Sequence, residues 1–383
     1  MSRFRAASVA ALASLAMVAG ATSAAAAVDA GYPAAAPATL RVATVDAGLT
    51  RDTEGELAVD LASGGDEQAV QLARAVQRQR PDVLVLTGVD VDPDGVVVDS
   101  LRDTYFGAAQ DGGRPIDYPY TFAVASNAGL QSGTDLDGDG EIGGAGDAYG
   151  YGDFEGQSSI AVFSTRPIDA ANARTFNDLL WSKVPGNHLK NSGLGSVARA
   201  SIPLQSTSLW DLPIGRGSTA IHVIATASAP GHLDGATDEV RREDQLAFLR
   251  DYVSGDPALR TVADDKGREG ALEQGARAVV AGALGAADPV GDGDPSLERL
   301  LDGSALVDPD QGGTSSGASP SWWGDTLGRM LRASASATRL GAGFGRQDIA
   351  AATPSVSVLD EGLSPAVDTE QGSHRLVWVD VAD

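Results

Sequence analysis

Apolar positions along this chain repeat with two different periods, and the switching between them lays out the elements. Residues 40–45 alternate and are β-branched at Val42, Thr44 and Val45, which predicts a strand. Residues 67–80 place Val70, Ala73 and Val76 on one helical stripe, with Asp66 as the N-cap and Pro81 as the stop. Residues 82–86 form a short continuous apolar run, the pattern of a strand covered on both faces. Further strands are predicted over 160–164, 219–226 and 278–281, with a closing strand over 375–381. Residues 238–253 read as an amphipathic helix with Leu246, Leu249 and Val253 facing inward. Asp294-Pro295-Ser296-Leu297 opens a short helix, with Asp as cap and Pro in the first turn. Strands and helices interleave without repeat or linker, so the expectation is one α/β domain of layered sheets and helices. Residues 129–152 and 303–322, rich in Gly and in Gly, Ser and Asp, read as surface insertions.

The first 27 residues stand outside this pattern. Arg3 and Arg5 precede an uncharged apolar run over 6–20, and small residues follow to Ala25-Ala26-Ala27. That is the layout of a secretory signal with an A-x-A cleavage site. The apolar run is shorter than the ~20 residues a membrane span needs. The division expected is therefore a signal at 1–27, a flexible leader at 28–38 and a folded domain at 39–383, secreted and with no membrane span after cleavage. The chain has no cysteine, so disulfides, thiolate metal sites and cysteine nucleophiles are all excluded. With 28 basic and 52 acidic residues the formal net charge is −24. A surface of that sign repels polyanions, and tight non-specific nucleic-acid binding is not expected. Of the basic residues only Lys183, Lys190 and Lys266 are lysines.

Several ordered segments carry a more specific signal. Phe154-Glu155-Gly156-Gln157 precedes Ile160-Ala161-Val162-Phe163-Ser164 and Arg166-Pro167-Ile168. Then come Arg174-Thr175-Phe176, Leu180-Trp181, Pro185-Gly186, Ile202-Pro203-Leu204 and Trp210-Asp211-Leu212-Pro213. His374-Arg375-Leu376-Val377-Trp378-Val379-Asp380 ends the series. In this order, from about residue 39 to the C-terminus, the chain resembles the endonuclease/exonuclease/phosphatase superfamily, in particular its secreted bacterial members. The resemblance implies a four-layer α/β sandwich, two packed β-sheets flanked by helices. It also implies metal-dependent phosphoester hydrolysis. That chemistry needs carboxylate and amide oxygens around a hard cation such as Mg²⁺, a carboxylate to activate water, and histidines to donate to the developing charge.

Carried over position by position, the resemblance places few of those groups here. The Asn that ends the family's first strand is Asp46, and its metal-binding Glu is Gly88. The first histidine falls on Ala227. The water-activating Asp is Ala283 and the neighbouring Asn is Gly285. A Lys and a His are replaced by Thr207 and Leu209, the Tyr after Asp348 by Ile349, and the Asp before His374 by Ser373. Asp348 and His374 themselves are retained, and they are expected to hydrogen-bond as a structural pair. The leading expectation is thus a degenerate homologue kept for binding or structure. The rival is a phosphoesterase with a rebuilt site, in which Gly88 and Asp90 point the same way along an extended strand and Asp46, Asp90 and Asp92 hold a cation; Mg²⁺ is implied only in that case. The favoured alternative is that Asp90 and Asp92 are solvated turn acids.

Asp135-Leu136-Asp137-Gly138-Asp139-Gly140 begins like a calcium loop, D-x-D-x-D-G, but its twelfth position is Gly146 rather than Glu, with Asp147 next. Asp135, Asp137, Asp139 and Glu141 are the candidate Ca²⁺ ligands of a third reading, a calcium-stabilised extracellular module; a solvated turn is the plain alternative. His232 reads as a surface histidine, and His188 and His222 have no partner visible in sequence. Trp322-Trp323 is either an exposed recognition patch or buried packing. No substrate or partner is legible.

Overall fold

The predicted strand at 40–45 is the middle of a longer one, because the alternation that begins it continues through Ala47 and Leu49. In the computed structural model β1 spans Thr39–Leu49, α1 Glu56–Ala62, α2 Glu67–Gln79, β2 Val83–Val89 and α3 Val96–Ser100. They are followed by β3 at Tyr120–Phe122, β4 at Ser159–Ser164, β5 at Arg174–Thr175 and α4 at Ser196–Ser201. Then come β6 at Ser208–Ile214, β7 at Ile221–Ala227, α5 at Gly235–Ser254 and β8 at Ala278–Ala283. The chain closes with β9 at Asp348–Ala352, β10 at Val358–Thr369 and β11 at Gly372–Ala382. The structure describes residues 38–228, 231, 233, 235–284, 299, 300, 305, 306, 348–369 and 372–383, and for Ser218, 365–369, 372 and 373 only the backbone. The expected signal and leader up to residue 37, His232, Gly285, the short helix at Asp294, Trp322-Trp323 and almost all of the 303–322 stretch lie outside them.

The strands form two mixed sheets. One has the order β10-β11-β1-β2-β4-β3 and the other β5-β6-β7-β8-β9. Within them β1 pairs parallel with β2 and β7 with β8, and the remaining ladders are antiparallel. Alternation then sorts each strand's side chains into layers. Val42, Val83, Val85, Val162 and Val379 of the first sheet share one core with Leu212, Val223, Val279 and Ala350 of the second, so these are the two inner faces. Ala43, Val45, Leu84 and Leu86 face outward onto Leu57, Leu72 and Val76 of α1 and α2. Leu209, Ile224, Val280 and Ile349 face outward onto Leu246, Phe248 and Leu249 of α5. The result is the expected sandwich of helix, sheet, sheet and helix.

Local signals hold where the chemistry is short-range. Asp66 caps α2 by accepting from Ala69 N at 2.8 Å, and the helix ends before Pro81 at Arg80, whose φ is 52°. The strand expected from residue 219 starts at Ile221, because 217–219 make a 3-10 turn instead. Residues 129–152 are not a mere surface insertion. Leu136 joins the core under α5. Gly150 lies so close to Ser206 that a Cβ there would sit 1.6 Å from its carbonyl oxygen. No helix among the described residues is long and apolar enough to cross a membrane.

Candidate functional site

Six of the positions singled out in sequence, Thr207, Leu209, Ala227, Ala283, Asp348 and Ile349, come together at one end of the five-stranded sheet. Ser208 pairs with Ala227, Ala227 with Ala283, and Ala283 with Asp348, a single register row across β6, β7, β8 and β9. Thr207 and Leu209 flank Ser208, and Ile349 follows Asp348. By alternation Ala227, Ala283 and Asp348 lie on the inner face, and each is at most 2% exposed. The only ionisable side chain in this row is Asp348. Ala283 is preceded by Gly282, which packs so tightly that a Cβ would lie 1.8 Å from Thr226 O.

In the six-stranded sheet the matching row runs through Asp46, Thr87 and Ile160. Asp46 is on the inner face, 1% exposed, and its Oδ1 accepts from Gly48 N at 3.1 Å. The ladder is irregular just beyond this row. Two residues of β2 oppose one of β4 between Thr87 and Val89, and three of β1 oppose two of β2. Gly48 and Gly88 occupy left-handed φ values of 57° and 63°. The bulge at Gly88 reverses the alternation: Val83 and Val85 face the inner core, whereas Val89 joins the outer one. This corrects the expectation that Gly88 and Asp90 project alike from a regular strand.

Asp90 is a clamp between strand ends. It is 5% exposed; Oδ2 accepts from Arg51 N at 2.7 Å and Oδ1 from Ser158 N at 2.9 Å. Burial pushes its carboxyl up to about 6, against the two backbone N–H donors and the Arg51 charge, while Glu56 adds to the rise. Asp92 accepts from Val96 N and Val97 N at 2.9 and 2.8 Å, so it holds the first turn of α3. The rims of the two sheets are stitched together by backbone: Val91 N donates to Gly156 O, Gly156 N to Ala128 O, and Asn127 N to Thr207 O. Gly156 has to be glycine here, with φ at 87° and a Cβ position 2.3 Å from Val91 O.

These residues do not fit a divalent cation of the kind the fold family uses. Position 88 has no ligand atom, 227 and 283 are alanines, and both Asp90 oxygens are already taken by backbone N–H groups. Thr44 and Thr87, beside Asp46 on the inner face, bury hydroxyl oxygens without a hydrogen-bond partner among the described residues. Among the described residues the one group of three or more metal-ligating side chains is Asp135, Asp137 and Asp139, whose ligand oxygens lie within 4.8 Å of one another. All three are exposed and accept from their own loop, Asp135 from Gly138 N and Gly140 N, Asp137 from Asp139 N and Asp139 from Glu141 N. Asp147, one past the twelfth position, instead turns inward: 1% exposed, it accepts from Leu136 N at 2.6 Å and Gly143 N at 2.7 Å and organises the loop.

The two retained family residues stand on different sheets, Asp348 on β9 and His374 on β11. The expectation is that they hydrogen-bond as a pair; among the described residues the His374 Nδ1 is buried with no hydrogen-bond partner. Carboxylate–imidazole pairs occur elsewhere, where sequence reading saw none. His222 Nδ1 lies 2.6 Å from Asp211 Oδ1, and Tyr252 donates to Asp211 Oδ2 at 2.6 Å. Burial, and then the Asp211 charge, push the Tyr252 phenol well up. His188 Nδ1 lies 2.7 Å from Asp244 Oδ1, while Asp244 Oδ2 accepts from Trp181 Nε1 and His188 N, each at 2.6 Å. The separations of 11 and 56 residues left no local signal for either pair. His222 is at the opposite end of β7 from Ala227, so its pair fastens the sheet rather than the rim.

The comparisons with known proteins follow this geometry. An endonuclease/exonuclease/phosphatase from Beutenbergia cavernae is similar over 90% of this chain and 71% of its own, at 17% identity and a TM-score of 0.49. Beta toxin from Staphylococcus aureus is similar over 89% and 99%, at 13% identity and 0.42. Sphingomyelinase C from Streptomyces griseocarneus is similar over 90% and 99%, at 14% and 0.40. Comparison with curated protein sequences returned no match. The sequence profile of the Endonuclease/Exonuclease/phosphatase family matches residues 60–359, most of the folded part. The chain therefore belongs to the endonuclease/exonuclease/phosphatase family.

Proposed function

We propose that this is a secreted member of the family in which metal-dependent phosphoester hydrolysis by the family's residues is lost or strongly impaired, and which is kept for binding or structure. The observation that carries the reading is the row Ser208–Ala227–Ala283–Asp348. The scaffold brings these positions together at the sandwich rim, yet two of them are buried alanines where the family places a histidine and a water-activating carboxylate. Loss of one acid–base group costs about 10²–10⁴ in rate. The bulge at Gly88 adds to this, since it gives position 88 a backbone that no longer presents a carboxylate.

The test uses mature chain purified from culture supernatant, with its N-terminus near Val28. With Mg²⁺, Mn²⁺ or Ca²⁺ it should turn over no DNA, RNA, phosphomonoester or phosphodiester above a His374→Ala control. Metal-dependent turnover that His374→Ala abolishes would overturn the reading in favour of a rebuilt site. Recovery only as full-length chain in membranes would overturn secretion.

A calcium-stabilised loop is a second reading, compatible with the first, and the convergence of Asp135, Asp137 and Asp139 favours it. A ligand that binds only the folded state adds RT ln(1 + [L]/Kd), about 2.7 kcal/mol at 100 times Kd. Millimolar Ca²⁺ should raise Tm over chelator in the parent and not in Asp137→Ala. Equal Tm in both conditions would remove calcium from the picture.

A further inference from the structure

Residues 179–210 are the longest stretch of the sequence without Asp or Glu, in a chain that carries 52 of them. The same stretch holds Lys183, Lys190, Arg199 and His188. The fold gives it a rigid backing, because α5 reaches it with four polar side chains. Thr237 Oγ1 accepts from Gly193 N at 2.8 Å. Arg241 donates to the carbonyl oxygens of Pro203, Leu204 and Gln205. Asp244 holds Trp181 and His188, and Gln245 donates to Leu204 O at 2.9 Å.

A surface pocket opens on this platform, lined among others by Ser182, Asn187, Lys190, Ser196 and Arg199. Among the described residues neither the Lys190 ammonium nor the Arg199 guanidinium makes an ion pair or a hydrogen bond, and no carboxylate lines the pocket. Asn187 is committed to its own turn through Val184 O. Two cations without an ion pair, lining one pocket with Ser182 and Ser196, are the donor chemistry that receives a compact oxyanion. The net charge of −24 repels polyanions at long range, which limits the occupant to a small group read at contact distance.

We infer that the pocket between Lys190 and Arg199 binds a phosphate or sulfate group, free or on a small or lipid carrier. The site goes beyond the proposed loss of hydrolysis: it needs none of the rim residues, and it stands or falls whether or not ester turnover is found.

Inorganic phosphate, titrated by calorimetry into the purified mature chain at low ionic strength, should bind with one-to-one saturation that weakens as salt rises. The Lys190→Gln/Arg199→Gln double variant should weaken binding at least tenfold, and Lys266→Gln should leave it unchanged. Should the double variant misfold, amide chemical shifts of the parent chain report instead, and phosphate must move resonances clustered over 182–200. A second arm adds vesicles of phosphatidylserine in phosphatidylcholine. Vesicle binding lost in the double variant, without free-phosphate binding, assigns the group to a lipid headgroup. Saturable free-phosphate binding assigns it to a soluble carrier. No saturation by either probe, shifts scattered over other basic residues, or binding indifferent to the double substitution would overturn the site.

Discussion

Gly88 sits at φ 63° on a bulge that reverses the face of the strand after it. An L side chain in that left-handed region costs about 1–2 kcal/mol, so Gly88→Ala should destabilise the chain by that amount although Ala is ordinarily the better residue in a strand. Denaturant unfolding with an unchanged m value checks it, and a neutral Gly88→Ala would show that the bulge is not needed. Gly88→Glu bears the same cost before any ligand can repay it, so restoring the family's residue does not restore its geometry. Asp90 is the other residue whose role the fold reversed. Its folded carboxyl, at about 6, lies above its ordinary value of 3.8. A raised folded value means that the contribution to stability is complete below pH 3.8 and is lost as pH climbs through 6, by on the order of 3 kcal/mol at most. Carboxyl carbon NMR should give Asp90 a midpoint near 6, and the fall in stability between pH 4 and 6 should be smaller in Asp90→Ala. A midpoint near 4 would mean that the Arg51 and Ser158 N–H donors outweigh burial.

Among the elements, α5 departs most from its sequence reading. Leu246, Leu249 and Val253 are buried as expected, but so are Thr237, Arg241, Asp244 and Gln245. The hydrophobic stripe identified the helix correctly; the polar half of its buried face is set by loop carbonyls and amides far along the chain, which no helical period encodes. Arg241 shows what that face does. It is 2% exposed and donates to four carbonyl oxygens, of Tyr149, Pro203, Leu204 and Gln205, while burial lowers its pKa to about 10. Arg241→Met removes the charge and strands those carbonyls. A loss on the order of 3 kcal/mol or more is expected, with faster amide exchange over 202–206. A near-neutral Arg241→Met would mean that the segment holds its shape without α5.

At the scale of the molecule, β1, β2, β4, β7, β8, the closing strand and the long helices α2 and α5 were legible because each rests on a period of a few residues, whereas β3, β5, β9 and the short helices α1, α3 and α4 were not. The sequence by itself also determined that no disulfide or thiolate site exists and that the chain is strongly acidic. It passed over β6, entered only as a motif, and β10, whose Asp360, Glu361, Gly362 and Pro365 break the alternation; pairing with β11 supplies what that pattern lacks. Only the tertiary structure decided which acids work as clamps. Asp90, Asp147, Asp211 and Asp244 are buried by contacts with residues as far as 68 positions away. A carboxylate's role depends on which donors surround it, and those donors come from the crossing of strands and loops rather than from the neighbours it has in sequence.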